Sequence, residues 1–341
     1  MRSLHKMITC ETPYIRHVSI PPQMEQAIYD LPRLLAFREA LETLDLAASP
    51  TARVLYPYTT THLRRVGILC GSFNPLTLAH TELAERARQV FELDCVFFTL
   101  AKITVDKEQV TGMGLEDRLL LLSLYAQQHN HLGVALVNRG LYFEQAQAFR
   151  TLLGAQAVLH FVIGMDKLFQ ILDPRYYRDR KAALRQLFSL ASLLIANRSD
   201  MNQQVFTQLL DQPENRPYCP SLHFFLLPAE VADLSATAIR NTLAAGKSVA
   251  KQVPQETTTF VTETRAYHPP TQSGDETLDA YVIRSHLFEL LATVRPWATQ
   301  EADFQHLLHV ALSTSEKGRR LRRLSGGDDP LPLLRSCQEE S

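Results

Sequence analysis

The chain has 341 residues, 45% hydrophobic and 21% charged, a composition that excludes a wholly disordered chain or a fibrous repeat. Thirty-five Lys and Arg against 36 Asp and Glu leave a net charge of −1, so no global field gathers a polyanion and nucleic acid is not the expected partner. The longest apolar stretch, 187–196, falls well short of the ~20 residues of a membrane span; residues 1–20 lack a signal-peptide core, and five scattered cysteines without CxxC spacing fit reduced thiols, so the expectation is a cytoplasmic protein with no membrane partner.

In chain order, Asp30 and Pro32 mark a helix start, and Leu34, Phe37, Leu41 and Leu44 recur at helical spacing until Ser49-Pro50. Residues 1–62 therefore read as a helical extension whose apolar stripe needs a partner surface. From Arg64 short apolar runs alternate with helical stretches. Strands are predicted at 66–70, 96–100, 134–137, 158–163, 193–196 and 224–227, and helices at 81–92, 115–128, 143–153, 182–190 and 202–210. This alternation, with uninterrupted apolar strands, predicts a parallel sheet covered on both faces. After His268-Pro269-Pro270 the polar string TQSGDET reads as a linker into a second helical extension at about 278–324. Its basic cluster EKGRRLRRL (316–324) reads as a solvated helix face.

The first core strand runs directly into GSFNPLTLAH (71–80) and an amphipathic helix. At such a joint the strand end and helix start form a crevice suited to phosphate. Gly71 permits close backbone approach, Pro75 stiffens the turn, and His80 can point a ring N–H inward. Turn chemistry and a solvated histidine would account for the same residues. A second joint, LSATAIR (234–240), opens another helix, with Ser235 and Thr237 as caps or phosphate donors and Arg240 as a permanently charged fork. Asp166, just past the strand at 158–163, suits either ribose hydroxyls or an N-cap.

GSFNPLTLAH resembles the first signature of the nucleotidyltransferase superfamily, in the form GSFNPxTxxH of its nicotinamide and nicotinate mononucleotide adenylyltransferase branch, and LSATAIR resembles the second, ISSTxIR, in the same order. Thr77 stands where many relatives carry a first histidine, and Ala79 replaces a glycine. The resemblance covers about residues 63–268. It implies an α/β, Rossmann-like doubly wound parallel sheet of nucleotidyltransferase type, with N- and C-terminal helical extensions at 1–62 and 269–341. It further implies adenylyl transfer from ATP to nicotinate or nicotinamide mononucleotide, giving the dinucleotide and pyrophosphate in NAD biosynthesis, with Mg2+ accompanying the ATP. The implied catalytic residues are His80 and Arg240; Gly71, Ser72, Phe73, Thr77, Lys107, Gly164, Asp166, Arg198, Ser235 and Thr237 are the implied substrate-binding residues. Tyr176 and Tyr177 lie where relatives place a pyridine-stacking tryptophan. Lys102 could contact phosphate, and Arg118 reads first as the partner of a neighbouring carboxylate.

Three weaker patterns read as structural. Gly112-Met113-Gly114 is a helix-entry loop, since Asp117 breaks a dinucleotide fingerprint. Gly246-Lys247-Ser248 is a helix C-terminal turn. His306 and His309 lack a third ligand, so no protein metal site is expected. The competing functions are transfer to another phosphate acceptor or from CTP, a nucleotide sensor with weak or no turnover, and an RNA-binding scaffold built on 316–324. Nicotinate against nicotinamide preference and oligomeric state, a homo-oligomer included, stay open.

Overall fold

A computed structural model describes residues 27–56, 63–103, 112–325 and 327–339. Its centre is a sheet of seven strands: β1 (Ala52–Tyr56), β2 (Arg65–Cys70), β3 (Cys95–Ala101), β4 (Leu132–Val137), β5 (Val158–Gly164), β6 (Ala191–Ala196) and β7 (Leu222–Phe225). Their order is β1-β4-β3-β2-β5-β6-β7, parallel except for β1 against β4. Side chains alternate across the pleat, so β3 sends Phe98 to one core and Phe97 to the other, both fully buried. Burying each such ring contributes about 1.5–3 kcal/mol, which is why these runs carry no polar alternation. The expected doubly wound α/β architecture is therefore present.

The strand order reverses direction on either side of β2, since β3 and β4 extend one way and β5 to β7 the other. That switch point opens a crevice beyond the carboxyl ends of β2 and β5. The helices that follow these strands are α2 (Leu78–Phe91) after β2, α3 (Leu115–Gln127) after β3, α4 (Tyr142–Leu153) after β4, α5 (Met165–Leu172) and α6 (Arg180–Leu190) after β5, and α7 (Gln203–Leu210) after β6. Beyond β7 come α8 (Ala229–Ala232), α9 (Ala236–Ala244) and α10 (Gln255–Thr264).

The N-terminal segment departs from the helical extension expected over 1–62. Its helix, α1 (Leu31–Thr43), starts at the N-cap Asp30, whose Oδ1 accepts from Arg33 N–H at 3.0 Å, but ends six residues before Ser49. Residues 52–56 then form β1, pairing Ala52 with Val137 and joining the main sheet. Only Ala52 of β1 is buried, so the strand leaves little hydrophobic pattern to read. The stripe containing Leu34, Phe37 and Leu41 is buried in the core cluster that also holds the fully buried Leu119–Leu122 run of α3.

Strand and linker boundaries also differ from those expected. β7 occupies 222–225 rather than 224–227, because Leu222 pairs with Leu193 in the sheet while Leu226 is exposed beyond it. The stretch read as a linker is a hairpin of β8 (Thr271–Ser273) and β9 (Glu276–Leu278), turned by Gly274 at φ +61. Five helices follow: α11 (Ala280–Thr293), α12 (Arg295–Glu301), α13 (Phe304–Leu312), α14 (Glu316–Arg323) and α15 (Leu331–Gln338). The basic cluster lies on α14, where Arg319 and Arg322 pair with Glu276 and Lys317 donates to the Ser336 carbonyl at 2.6 Å. His306 Nε2 lies 2.9 Å from the Cys337 carbonyl. Among the described residues no three His, Cys, Asp or Glu cluster as metal ligands, and no helix is long and apolar enough to cross a membrane.

Candidate functional site

A cavity of about 850 Å³ occupies the switch point. It is bounded by the ends of β2, β3 and β5, the starts of α2 and α9, and the loop at 112–114. The walls are unevenly charged: Lys102, Arg118, Lys167, Arg198 and Arg240 line it against one carboxylate, Asp166, among the described residues. Such a concave, cationic wall raises the local concentration of an anionic ligand.

His80 enters from the first turn of α2. The Thr77 backbone N–H donates to its Nδ1 at 3.1 Å, the return half of a capping box in which histidine takes the usual Glu or Gln place. That bond makes Nδ1 an acceptor and leaves the proton on Nε2. Burial, and then the nearby Arg198 charge, hold the imidazole down to about 4. His80 thus lines the cavity as a neutral ring whose remaining donor is Nε2–H. The Phe73 ring supports it edge-to-face at 5.1 Å and packs likewise on Phe98 at 5.3 Å.

The helix starts differ in what they offer. At α2 the Leu78 N–H is taken by the Gln252 carbonyl at 3.0 Å and the His80 N–H by the Thr77 carbonyl at 3.0 Å. Its first turn is therefore largely satisfied within the protein. At α9 Ser235 makes no side-chain capping bond, and Ser235, Ala236 and Thr237 all line the cavity. Uncapped first-turn amides and two hydroxyls there form the more open anion-binding end.

Arg240 ties the two joints together. Its Nη1 donates to the Asn74 carbonyl at 2.8 Å across 166 positions of sequence, and its Nη2 donates to Thr237 Oγ1 at 3.1 Å. Asn74 Oδ1 in turn accepts from the Met113 N–H at 3.3 Å and from the Tyr267 hydroxyl. Across the cavity, Gly164 lets Asp166 fold over the backbone, since a Cβ there would stand 2.6 Å from Asp166 Oδ1. Asp166 lies in the first turn of α5, whose N-cap is Gly164, and faces Arg198 at 3.9 Å. The N-cap alternative for Asp166 is thus not realised.

Of the residues singled out in the sequence, Gly71, Ser72, His80, Gly164, Asp166, Tyr176, Tyr177, Arg198, Ser235, Thr237 and Arg240 line this one cavity. Phe73 and Thr77 do not: they are 0% and 1% exposed and act from beneath, through His80. Lys107 lies outside the described residues. Lys102 reaches the wall, but its ammonium donates to the Leu44 carbonyl at 2.8 Å. Tyr177 is anchored by its hydroxyl donating to the Ile171 carbonyl at 2.8 Å, and burial pushes the phenol up to about 12. Trp297 is buried away from the cavity, donating to Glu301 at 2.8 Å.

Arg118 departs from its first reading as a carboxylate partner. The neighbouring Asp117 is held by Arg284, at 2.6 Å, while Arg118 uses only Nε, donating to the Met113 carbonyl at 2.7 Å. It is 5% exposed, and its two Nη groups have no acceptor among the described residues. The sequence signal available was only an arginine near a helix start. Cys70 also lines the wall, but burial raises its pKa far above the thiol range and Sγ donates to Gln145 Oε1 at 2.7 Å. It is therefore a thiol, not a nucleophilic thiolate.

Residues 68–242 match the family profile described as cytidylyltransferase-like. The chain is 25% identical over 219 residues to the probable nicotinate-nucleotide adenylyltransferase of Geobacter sp. (strain M21), covering 60% of this chain and 98% of that protein. It is 27% identical over 212 residues to the protein of the same description from Desulfitobacterium hafniense (strain DSM 10664 / DCB-2), covering 60% and 96%. Among solved structures it is similar to Plasmodium falciparum nicotinic acid mononucleotide adenylyltransferase complexed with NaAD, at 14% identity and a TM-score of 0.46, covering 60% of this chain and 97% of that one.

Proposed function

The chain belongs to the cytidylyltransferase-like family of nucleotidyltransferases, and on that premise we propose that it transfers the adenylyl group of ATP to nicotinate or nicotinamide mononucleotide, releasing pyrophosphate. The observation that carries this reading is the meeting of His80 and Arg240 in one cationic cavity, with Arg240 bonded to the Asn74 carbonyl of the first motif. The curated relatives described as probable nicotinate-nucleotide adenylyltransferases support the choice of acceptor.

An oxygen of the acceptor phosphate attacks the α-phosphorus of ATP, the new P–O bond forms, and the α–β P–O bond breaks with its electron pair leaving on pyrophosphate. That nucleophile is already anionic at neutral pH, so the protein needs no base. Its task is to align the two phosphates and to neutralise charge on the non-bridging and leaving oxygens. His80 Nε2–H donates to the reacting phosphate. Arg240, Ser235, Thr237 and the start of α9 hold the β and γ phosphates, the backbone at Gly71 and Ser72 approaches the nucleotide, and Asp166 accepts ribose hydroxyls. Tyr176 and Tyr177 offer ring faces for the pyridine, and Lys107 belongs with the phosphate contacts. Mg2+ would come with the triphosphate and would be held chiefly by phosphate oxygens and water, as is usual for this ion; a wall with one carboxylate among the described residues, Asp166, fits that mode better than an all-protein cage.

The test is pyrophosphate release on the full chain with ATP or CTP against nicotinate mononucleotide, nicotinamide mononucleotide and phosphopantetheine. The proposal expects release with ATP and a pyridine mononucleotide, with the dinucleotide as co-product. ATP binding without release from any acceptor would favour a nucleotide sensor, the reading to which the burial of Thr77 lends weight by removing one phosphate donor.

A further inference from the structure

α11 lies outside the span matched by the family profile, yet its Tyr281 bonds to Gly114, a residue of the cavity wall. From α11, Tyr281 places its hydroxyl between two groups of the loop and α3: it accepts from the Gly114 N–H at 2.9 Å and donates to Asp117 Oδ2 at 2.7 Å. One turn along α11, Arg284 donates to both oxygens of Asp117, at 2.6 and 2.7 Å, and to the Ile28 carbonyl at 3.2 Å. Its guanidinium also lies over the rings of Phe260 and Phe304, at 5.5 and 5.2 Å. Asp117 is thereby fixed, and with it the far end of the Tyr281 bond.

The loop so anchored runs through Gly112, which holds φ +115 and would bring a Cβ within 2.5 Å of Tyr267. On one side its Met113 N–H reaches Asn74, whose carbonyl receives Arg240. On the other its Met113 carbonyl accepts from Arg118 Nε. Among the described residues Arg118 has no carboxylate to fix it, so the position of that carbonyl sets the direction in which the guanidinium of this cavity-lining residue presents its two unused Nη groups. A buried cation with free donors and no acid partner is matched chemically by a phosphate oxyanion.

We propose that Tyr281, contributed by the C-terminal helices, is a positioning residue that sets the 112–114 loop and through it aims Arg118 at a phosphate-bearing ligand. This rests on the reading of the cavity as a nucleotide site. The experiment titrates ATP and nicotinate mononucleotide separately by calorimetry into the full chain, as wild type, Tyr281→Phe, Arg118→Gln and the double variant, with amide hydrogen exchange on each unliganded protein. Tyr281→Phe keeps the ring and removes the hydroxyl. It is expected to weaken, by about tenfold, the ligand that Arg118→Gln also weakens, and to add less than about twofold on the Arg118→Gln background. Exchange should quicken at 112–118 and not elsewhere. Full additivity with Arg118→Gln, weakening of a ligand that Arg118→Gln spares, or unchanged affinities would overturn the proposal. Should wild type bind neither ligand, the functional reading fails by itself, and exchange still decides: unchanged protection at 112–118 overturns the role of Tyr281, and local loss of protection upholds it.

Discussion

Replacing His80 by Ala removes three things whose sizes follow from the structure. The first is the Nε2–H donor to the reacting phosphate; losing one such preorganised donor lowers turnover by about 10²–10³-fold, or ~2.7–4 kcal/mol of transition-state stabilisation. The second is the acceptor for the Thr77 N–H at the start of α2, a cap worth ~0.5–2 kcal/mol of stability. The third is the edge-to-face contact with Phe73, worth ~0.5–1.5 kcal/mol. Stability should therefore fall by about 1–3.5 kcal/mol, leaving the protein folded at 25 °C while turnover drops at least a hundredfold. Gln at position 80 restores the usual capping-box residue. Its amide oxygen can take the Thr77 N–H while its NH2 still donates, so Gln should recover most of the stability and part of the rate. Pyrophosphate release at saturating ATP and nicotinate mononucleotide, alongside thermal unfolding, reads both effects. Wild-type turnover in His80→Ala, or a Gln variant no better than Ala in both measurements, would refute the reasoning.

Arg240→Lys keeps the charge but cannot serve the Asn74 carbonyl and Thr237 with one planar fork; the KM for ATP should rise about tenfold, and an unchanged KM would remove Arg240 from the phosphate site. Burial holds His80 and His160 down to about 4 in the folded protein, against about 6.5 unfolded. The unfolded chain therefore binds more protons between these values. Their contribution to stability is complete above pH ~6.5 and lost as pH falls towards 4, at up to ~1.4 kcal/mol per pH unit for each histidine. Urea unfolding across this range should show a shallower loss in His160→Gln, and equal slopes would contradict the assignment. Arg284→Met strands Asp117 without its cation and should cost ~3–5 kcal/mol in urea unfolding. Adding Asp117→Asn should return part of it, and a strictly additive double variant would mean the pair is not coupled.

Much of the parallel core was legible because a strand buried on both faces must be apolar throughout. The runs at 66–70, 96–100 and 158–163 accordingly lie within β2, β3 and β5. β1 leaves no apolar run to read because four of its five residues are only partly buried or exposed, and the apolar run FFLL continues two residues past the end of β7. At the site, the two motifs announce themselves because each joins a turn to a helix start with unusual residues. What the sequence could not give is the difference between the two helix starts, since Gln252 satisfies α2 from far along the chain. Nor could it show that Phe73 and Thr77 work from below the cavity, or that Tyr267 and Tyr281 brace its wall. These roles depend on contacts between distant segments, which leave no periodic or local trace.

The most direct test of the account is a crystal structure of the full chain bound to the nicotinate adenine dinucleotide product. The account predicts its pyrophosphate linkage between His80 and the start of α9, within hydrogen-bond reach of the imidazole and the Arg240 guanidinium. A dinucleotide bound with its phosphates away from both residues, or in a different part of the molecule, would contradict it.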